Sequence, residues 1–175
     1  MKNYIQRELD IVIKPFLSRK EVIAIVGARQ VGKTTFLQHL YDDLQKTSKK
    51  IAFLTFEREK DLSLFENIED FKDYYNGYDV IFIDEFSYIA DSSGEFQAIW
   101  EEVAKPRKLK LVLCGSMMRV MEDLGYSIKS PLYGRATLIL KVMPFLLAEV
   151  FRWYGKKEKP ESIFPEMDEI HRYIF

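Results

Sequence analysis

Five short runs of apolar residues mark the chain, separated by longer stretches in which apolar positions recur three and four residues apart. The runs are Glu21–Val26, Ile51–Phe56, Asp79–Asp84, Leu109–Cys114 and Ala136–Val142. Their apolar residues are continuous rather than alternating, which predicts parallel strands buried on both faces. Between and before them the period is helical. Ile5, Leu9, Val12, Ile13 and Phe16 form one stripe, with an interruption expected near Pro15. Phe36, Leu37, Leu40, Tyr41 and Leu44 form another, opposite Gln38, His39, Asp42 and Asp43. Leu64, Ile68, Phe71 and Tyr75 predict one short helix between the second and third strands. Phe96, Ile99, Trp100 and Val103 predict a helix whose start carries Ser92 and Glu95 at capping-box spacing. Met117 to Leu124 reads as a helix stopped near Gly125, with Met117, Met118 and Met121 as core filling. Strands alternating with helices predict an α/β fold: a parallel five-stranded sheet covered on both faces, right-handed crossovers, and a ligand at the carboxyl ends of the strands.

Length and composition narrow this to one core. The chain has 175 residues, of which 47% are apolar, enough for a single domain of ordinary size. The expected division is a core over 1–155 and, from the hydrophilic Lys156-Lys157-Glu158-Lys159-Pro160, a linker over 156–175. Lys and Arg number 26 against 27 Asp and Glu, so no global basic field draws the chain to nucleic acid or an anionic membrane. The first ten residues lack a signal peptide's apolar centre, and no run has the ~18 apolar residues of a membrane span. A cytoplasmic location and no membrane partner are expected. The single cysteine, Cys114, lies in an apolar run and reads as a buried hydrophobe. His39 and His171 are too far apart, and too short of cysteine company, to suggest zinc.

The chemistry is concentrated at strand ends. Gly27-Ala28-Arg29-Gln30-Val31-Gly32-Lys33-Thr34-Thr35 is G-x-x-x-x-G-K-T between a strand and a helix. In such a loop the glycines permit a tight turn, while successive amides and the helix N-terminus supply donors to a triphosphate. Lys33 would reach the β- and γ-phosphates, Thr34 would give its hydroxyl to Mg²⁺, and Thr35 would lie near the α-phosphate. The plainer reading is a glycine-rich turn. Val80-Ile81-Phe82-Ile83-Asp84-Glu85 ends a strand in two carboxylates. Asp84 would hold Mg²⁺ and Glu85 would polarise an attacking water; alternatively Asp84 caps a turn and Glu85 is a solvated acid. Ser116 follows the fourth strand, as γ-phosphate sensor or as helix N-cap. Arg119, one turn on, either faces phosphate or forms a surface ion pair, the second being favoured, and Arg29 reads as a surface or partner contact rather than a catalytic cation. Arg135, in Ser130-Pro131-Leu132-Tyr133-Gly134-Arg135, is either a finger offered to a neighbouring subunit's phosphate, hence a homo-oligomer, or a salt-bridged surface arginine.

GARQVGKTT, VIFIDEF, LVLCGSMMRVM, SPLYGRATLILKVMPF and EIHRYIF together resemble the archaeal and bacterial ATPase family of the AAA+/STAND group of P-loop NTPases, over residues 7 to 175. SPLYGR followed by a strand and Met-Pro-Phe is the most specific of these. The resemblance implies a three-layer P-loop fold with strand order 5-1-4-3-2, Lys33 and Thr34 on phosphate and Mg²⁺, Asp84 on Mg²⁺, Glu85 as base, Ser116 at the sensor position and Arg135 as finger. It also implies that relatives continue past EIHRYIF into a helical lid, a winged-helix region and often a nuclease-like domain, so that 156–175 begins a truncated lid. DNA or protein partners would act through those further domains.

Three functions compete. The first is Mg²⁺-dependent ATP binding and hydrolysis by a nucleotide-driven switch, slow where a lid is lacking. The second is a nucleotide-binding interaction module without useful catalysis. The third is a small-molecule kinase, which would need an acceptor pocket and no Glu85. The absence of an N-K-x-D motif favours ATP and ADP over GTP.

Overall fold

The computed structural model describes residues 4–19, 22–89, 93–116 and 136–155. Five strands, β1 (Val22–Gly27), β2 (Ile51–Thr55), β3 (Val80–Asp84), β4 (Lys110–Ser116) and β5 (Ala136–Val142), form one sheet of order β2-β3-β4-β1-β5. Every pairing is parallel. This is the order 5-1-4-3-2 read from the other edge, and the runs seen in the sequence are these strands with ends displaced by one or two residues.

The continuous apolar runs have the cause expected of them. In β1, Val22, Ala24 and Val26 enter one core cluster, while Ile23 and Ile25 enter the other. On the first face they meet Phe65, Phe71, Phe96 and Val103 from α3 (Glu59–Glu66), α4 (Ile68–Tyr74) and the α5 region, which starts at Ser93–Ile99. On the second face lie Ile13 of α1 (Leu9–Leu17) and Phe36, Leu37 and Leu40 of α2 (Lys33–Gln45). Full burial of such a side chain contributes about 1.5–3 kcal/mol. Alternate residues of every central strand are used in this way, so neither face tolerates a polar substitution. No helix among the described residues is long and apolar enough to cross a membrane.

Two helical expectations need correction, and a third holds with a local irregularity. First, α1 runs through Pro15 without interruption. The proline falls in the last turns, where it forgoes one ladder bond, and the Ser18 hydroxyl donates to its carbonyl at 3.1 Å. Lys110 Nζ also donates to the carbonyls of Phe16 (2.6 Å) and Arg19 (2.5 Å), placing a cation at the helix C-terminus. Val12 on the supposed apolar stripe is exposed. Second, the single helix expected between β2 and β3 is two, because Asn67 adopts extended backbone (φ −106°, ψ 106°) and caps α4. Third, the helix after Ser93 widens into a π-helical turn at Trp100–Ala104 before α6 (Lys105–Arg107). Pro106 cannot donate to the ladder, and the Lys105 amide instead reaches back five residues to the Trp100 carbonyl. Ser92 of the expected capping box and the segment 117–124 lie outside the described residues.

The parallel register fixes where strand ends meet. Thr55 lies opposite Asp84, and Gly27 lies between Ser116 on one side and Val142 on the other. The carboxyl edge therefore carries the phosphate-loop entrance, the acidic tip of β3 and the hydroxyl tip of β4 within one sheet. After β5 the chain enters α7 (Leu147–Tyr154), where Glu149 accepts from the Leu146 amide at 2.8 Å and stabilises the helix start.

Candidate functional site

Gly27 ends β1 where only glycine fits: a Cβ there would stand 2.4 Å from the Val142 carbonyl oxygen. The chain then turns through two left-handed residues, Gln30 (φ 65°) and Gly32 (φ 84°), before α2 begins at Lys33. Glycine adopts that conformation freely, whereas Gln30 does so at a cost, and such conformations persist where surroundings enforce them. Gly32 is the N-cap of α2 and brings no side chain to the first-turn amides. Those donors, beside the exposed residues Ala28, Arg29 and Gln30, suit an anion. Lys33, only 7% exposed, folds back so that Nζ donates to the Ala28 carbonyl at 2.8 Å. Its charge is thereby held over the loop. Thr34 and Thr35 follow, both exposed on the first turn of α2.

Asp84, 5% exposed, is the last residue of β3, and its Oδ1 accepts from the Glu85 amide at 3.0 Å. Glu85 has φ 51°, an uncommon conformation for a residue with a side chain, and turns the chain into a short 3-10 segment at Phe86–Ile89. The Ser87 hydroxyl donates to Glu85 Oε2 at 3.5 Å. Cys114 of β4 lies against this group. Burial first, then the charge of Asp84 and a hydrogen bond to its carboxylate, push the Cys114 thiol well above its ordinary value; Lys33 opposes the shift and Glu85 adds to it. β4 lies between β1 and β3, with Gly27 opposite Ser116 and Ile83 opposite Leu113, so the loop and both acids leave the sheet at one edge although Lys33 is 51 and 52 positions from Asp84 and Glu85 in the chain. Among the described residues no cluster of three His, Cys, Asp or Glu could hold a metal ion. A divalent cation here would need oxygens of a bound phosphate among its ligands, which suits the hydroxyl and carboxylate of Thr34 and Asp84.

The remaining candidates are distributed unevenly. Ser116 is half-buried at the end of β4, in register with Gly27. Arg29 is exposed on the loop. Arg119, Arg135, His171, the three methionines and residues 156–175 lie outside the described residues. His39 stands apart, stacked on Tyr4 at 3.7 Å and close to Asp10 and Asp43, in a cleft of about 480 Å³ that includes neither the loop nor the acids.

The residue that pattern alone did not single out is Arg7. It is 3% exposed; NH2 donates to the Val31 carbonyl of the loop at 2.6 Å, and NH1 to the Met143 carbonyl beyond β5 at 2.8 Å. Its guanidinium also lies 3.9 Å from the centre of the Phe145 ring. No local signal marks it, since its partners are 24 and 136 residues away. Gly115 was also missed: it admits the 3-10 segment, for a Cβ there would be 3.3 Å from the Ser87 nitrogen.

The family model described as an AAA domain matches residues 19–151. The chain is 26% identical over 166 residues to an uncharacterized protein of Methanocaldococcus jannaschii, MJECL04, an alignment covering 87% of this chain and 37% of that protein. Among solved structures, a DNA replication initiation factor superposes with TM-score 0.65 at 16% identity, over 89% of this chain and 52% of the other. The replication initiator DnaA bound to AMPPCP and single-stranded DNA does so with TM-score 0.67 at 15% identity, over 95% and 58% respectively. At such identities the likeness is one of fold, and it is the three-layer P-loop fold that the family resemblance implies. The chain spans little more than a third of MJECL04 and just over half of each initiator.

Proposed function

The chain belongs to the AAA domain family of P-loop ATPases, and from that premise we propose that it binds ATP with Mg²⁺ and hydrolyses it as a nucleotide-driven switch of the STAND type. The observation that carries this reading is the placement of the loop after Gly27 and of Asp84 and Glu85 at the carboxyl ends of the two strands that flank β4. A phosphate loop alone would support binding; a loop faced by a second carboxylate supports hydrolysis.

Each residue has a part that its position suits. The amides of residues 28–35 take the phosphate oxygens, and Lys33 exchanges the Ala28 carbonyl for phosphate. Asp84 and Thr34 would hold Mg²⁺, which would supply positive charge against that developing on the phosphates. Glu85 accepts the proton of the attacking water, and its release from the Ser87 hydroxyl accompanies that role. Ser116 orients the water from the tip of β4. Arg135 would act across a subunit contact, as a finger on a neighbour's phosphate. DNA or protein partners of a longer relative would engage parts outside this core, whose near-neutral charge gives no footprint for nucleic acid.

A second reading, a nucleotide-binding module without turnover, draws on Glu85 itself: its carboxylate already has a partner in Ser87. The two readings are separated by measuring Mg²⁺-dependent binding of ATP, ADP and GTP by calorimetry while phosphate release is followed in the same samples. The switch reading expects ATP and ADP to bind better than GTP and phosphate to appear only with Mg²⁺. Binding without phosphate supports the second reading, and no binding of any triphosphate removes both.

A further inference from the structure

We propose that Arg7 is a positioning residue that links occupancy of the phosphate loop to the seating of the segment following β5, residues 143–149. The inference rests on the reading of the loop as an ATP site. A buried guanidinium must satisfy its donors within the protein, and Arg7 does so on two backbone carbonyls from distant parts of the chain, Val31 and Met143. Charge-assisted bonds of this kind are directional, so moving either carbonyl alters the other's partner. The loop is close-fitted to it: a Cβ on Gly32 would stand 3.1 Å from Arg7 NH2. On the far side the guanidinium lies over Phe145 at 3.9 Å.

The contact is closed into a ring by the residue after Arg7. The Glu8 amide donates to Glu149 Oε1 at 2.8 Å, and the Leu146 amide donates to Oε2 of the same carboxylate at 2.8 Å. Glu149 is 4% exposed. Asp10 anchors the N-terminal side by accepting from the Arg7 amide at 2.7 Å. The N-terminal segment, the loop and residues 143–149 therefore share one polar network, in which the Arg7 side chain bonds both the loop and Met143. Phosphate entering the loop must shift or stiffen the Val31 peptide, and by reciprocity whatever holds 143–149 in place must alter nucleotide affinity. Exposed Met143, Phe145, Leu146 and Leu147 crowd this segment, so its position changes an apolar surface.

The experiment is amide hydrogen exchange on the full 175-residue chain with and without Mg²⁺-ATP, joined to ATP titration calorimetry. In the native protein ATP should slow exchange in both 28–35 and 143–149. In Arg7→Ala the slowing at 143–149 should disappear while that at 28–35 persists, with ATP bound about ten- to a hundredfold more weakly, the usual worth of a charge-assisted hydrogen bond. Arg7→Lys keeps one donor group but cannot fork to both carbonyls, and should fold, bind ATP with intermediate affinity and likewise fail to protect 143–149. It carries the test should the alanine variant not fold. Native-like slowing at 143–149 in either variant overturns the proposal, as does native protein that binds ATP with exchange at 143–149 unchanged. Native protein that binds no ATP at all instead brings down the functional reading on which the proposal stands.

Discussion

At the scale of single residues, the site is built from groups whose chemistry depends on neighbours far away in sequence. Lys33, Asp84 and Glu85 were legible because each sits in a local pattern, a loop of fixed spacing or a strand ending in acids. Glu85→Gln keeps the shape and removes the carboxylate proposed as base; it should leave ATP affinity near native and lower turnover by about 10²–10⁴, the typical worth of general-base help. Equal turnover in single-cycle phosphate release would take Glu85 out of the mechanism. Cys114 makes a second prediction. Its thiol is held above 9.0 in the folded chain, so the folded state keeps a proton that the unfolded chain releases. The group's contribution is therefore full below about pH 9 and declines as pH rises beyond it, by at most ~1.4 kcal/mol per pH unit. Tyr4 and Tyr75 are raised from 10.0, both by burial first, and add to the loss only above that pH. Urea midpoints from pH 7 to 10.5 should fall above 9, and Cys114→Ala should flatten the part between 9 and 10. An identical slope in that variant would refute the assignment.

At the scale of elements, strands were easier to read than helices because the sheet is buried on both faces. A continuous apolar run has one explanation there, and the register can slip only by burying polar groups. Helix boundaries depended on single residues instead. Asn67 splits α3 from α4 by accepting from the amides of Glu69 and Asp70 at 3.1 and 3.3 Å, and the apolar spacing of Leu64, Ile68 and Phe71 runs straight across that break. Asn67→Ala should cost about 0.5–2 kcal/mol in denaturant unfolding, as loss of an N-cap does, whereas Asn67→Ser should cost little. Pro15 misled in the other direction: a proline near a helix end, with carbonyls taken up by Lys110, does not stop the helix. Where strand meets loop, Gly27→Ala would drive a methyl into the Val142 carbonyl, a backbone group that cannot swing aside, with the Val31 side chain also close. A loss of about 1–3 kcal/mol is expected, the range for overpacking, together with weakened ATP binding.

At the scale of the molecule, five parallel strands bring their carboxyl ends to one edge, and the site exists only when that sheet is complete. The long-range part of it, Arg7 between Val31 and Met143, was invisible in the sequence because no spacing encodes a contact across 136 residues. A ligand bound by folded protein alone must then raise the stability of the whole unit, since unfolding any central strand dismantles its site. At a hundred times the dissociation constant, Mg²⁺-ATP should add about 2.7 kcal/mol. For a domain of this length each kcal/mol raises the melting temperature by about 2–4 °C, so a rise of about 5–11 °C is expected, increasing with the logarithm of ligand concentration. Lys33→Ala should melt near the native temperature without ligand, having lost one bond to the Ala28 carbonyl, yet show little rise with ATP. Scanning calorimetry across ATP concentrations checks both statements: equal rises in native and Lys33→Ala protein would place the nucleotide somewhere other than this loop.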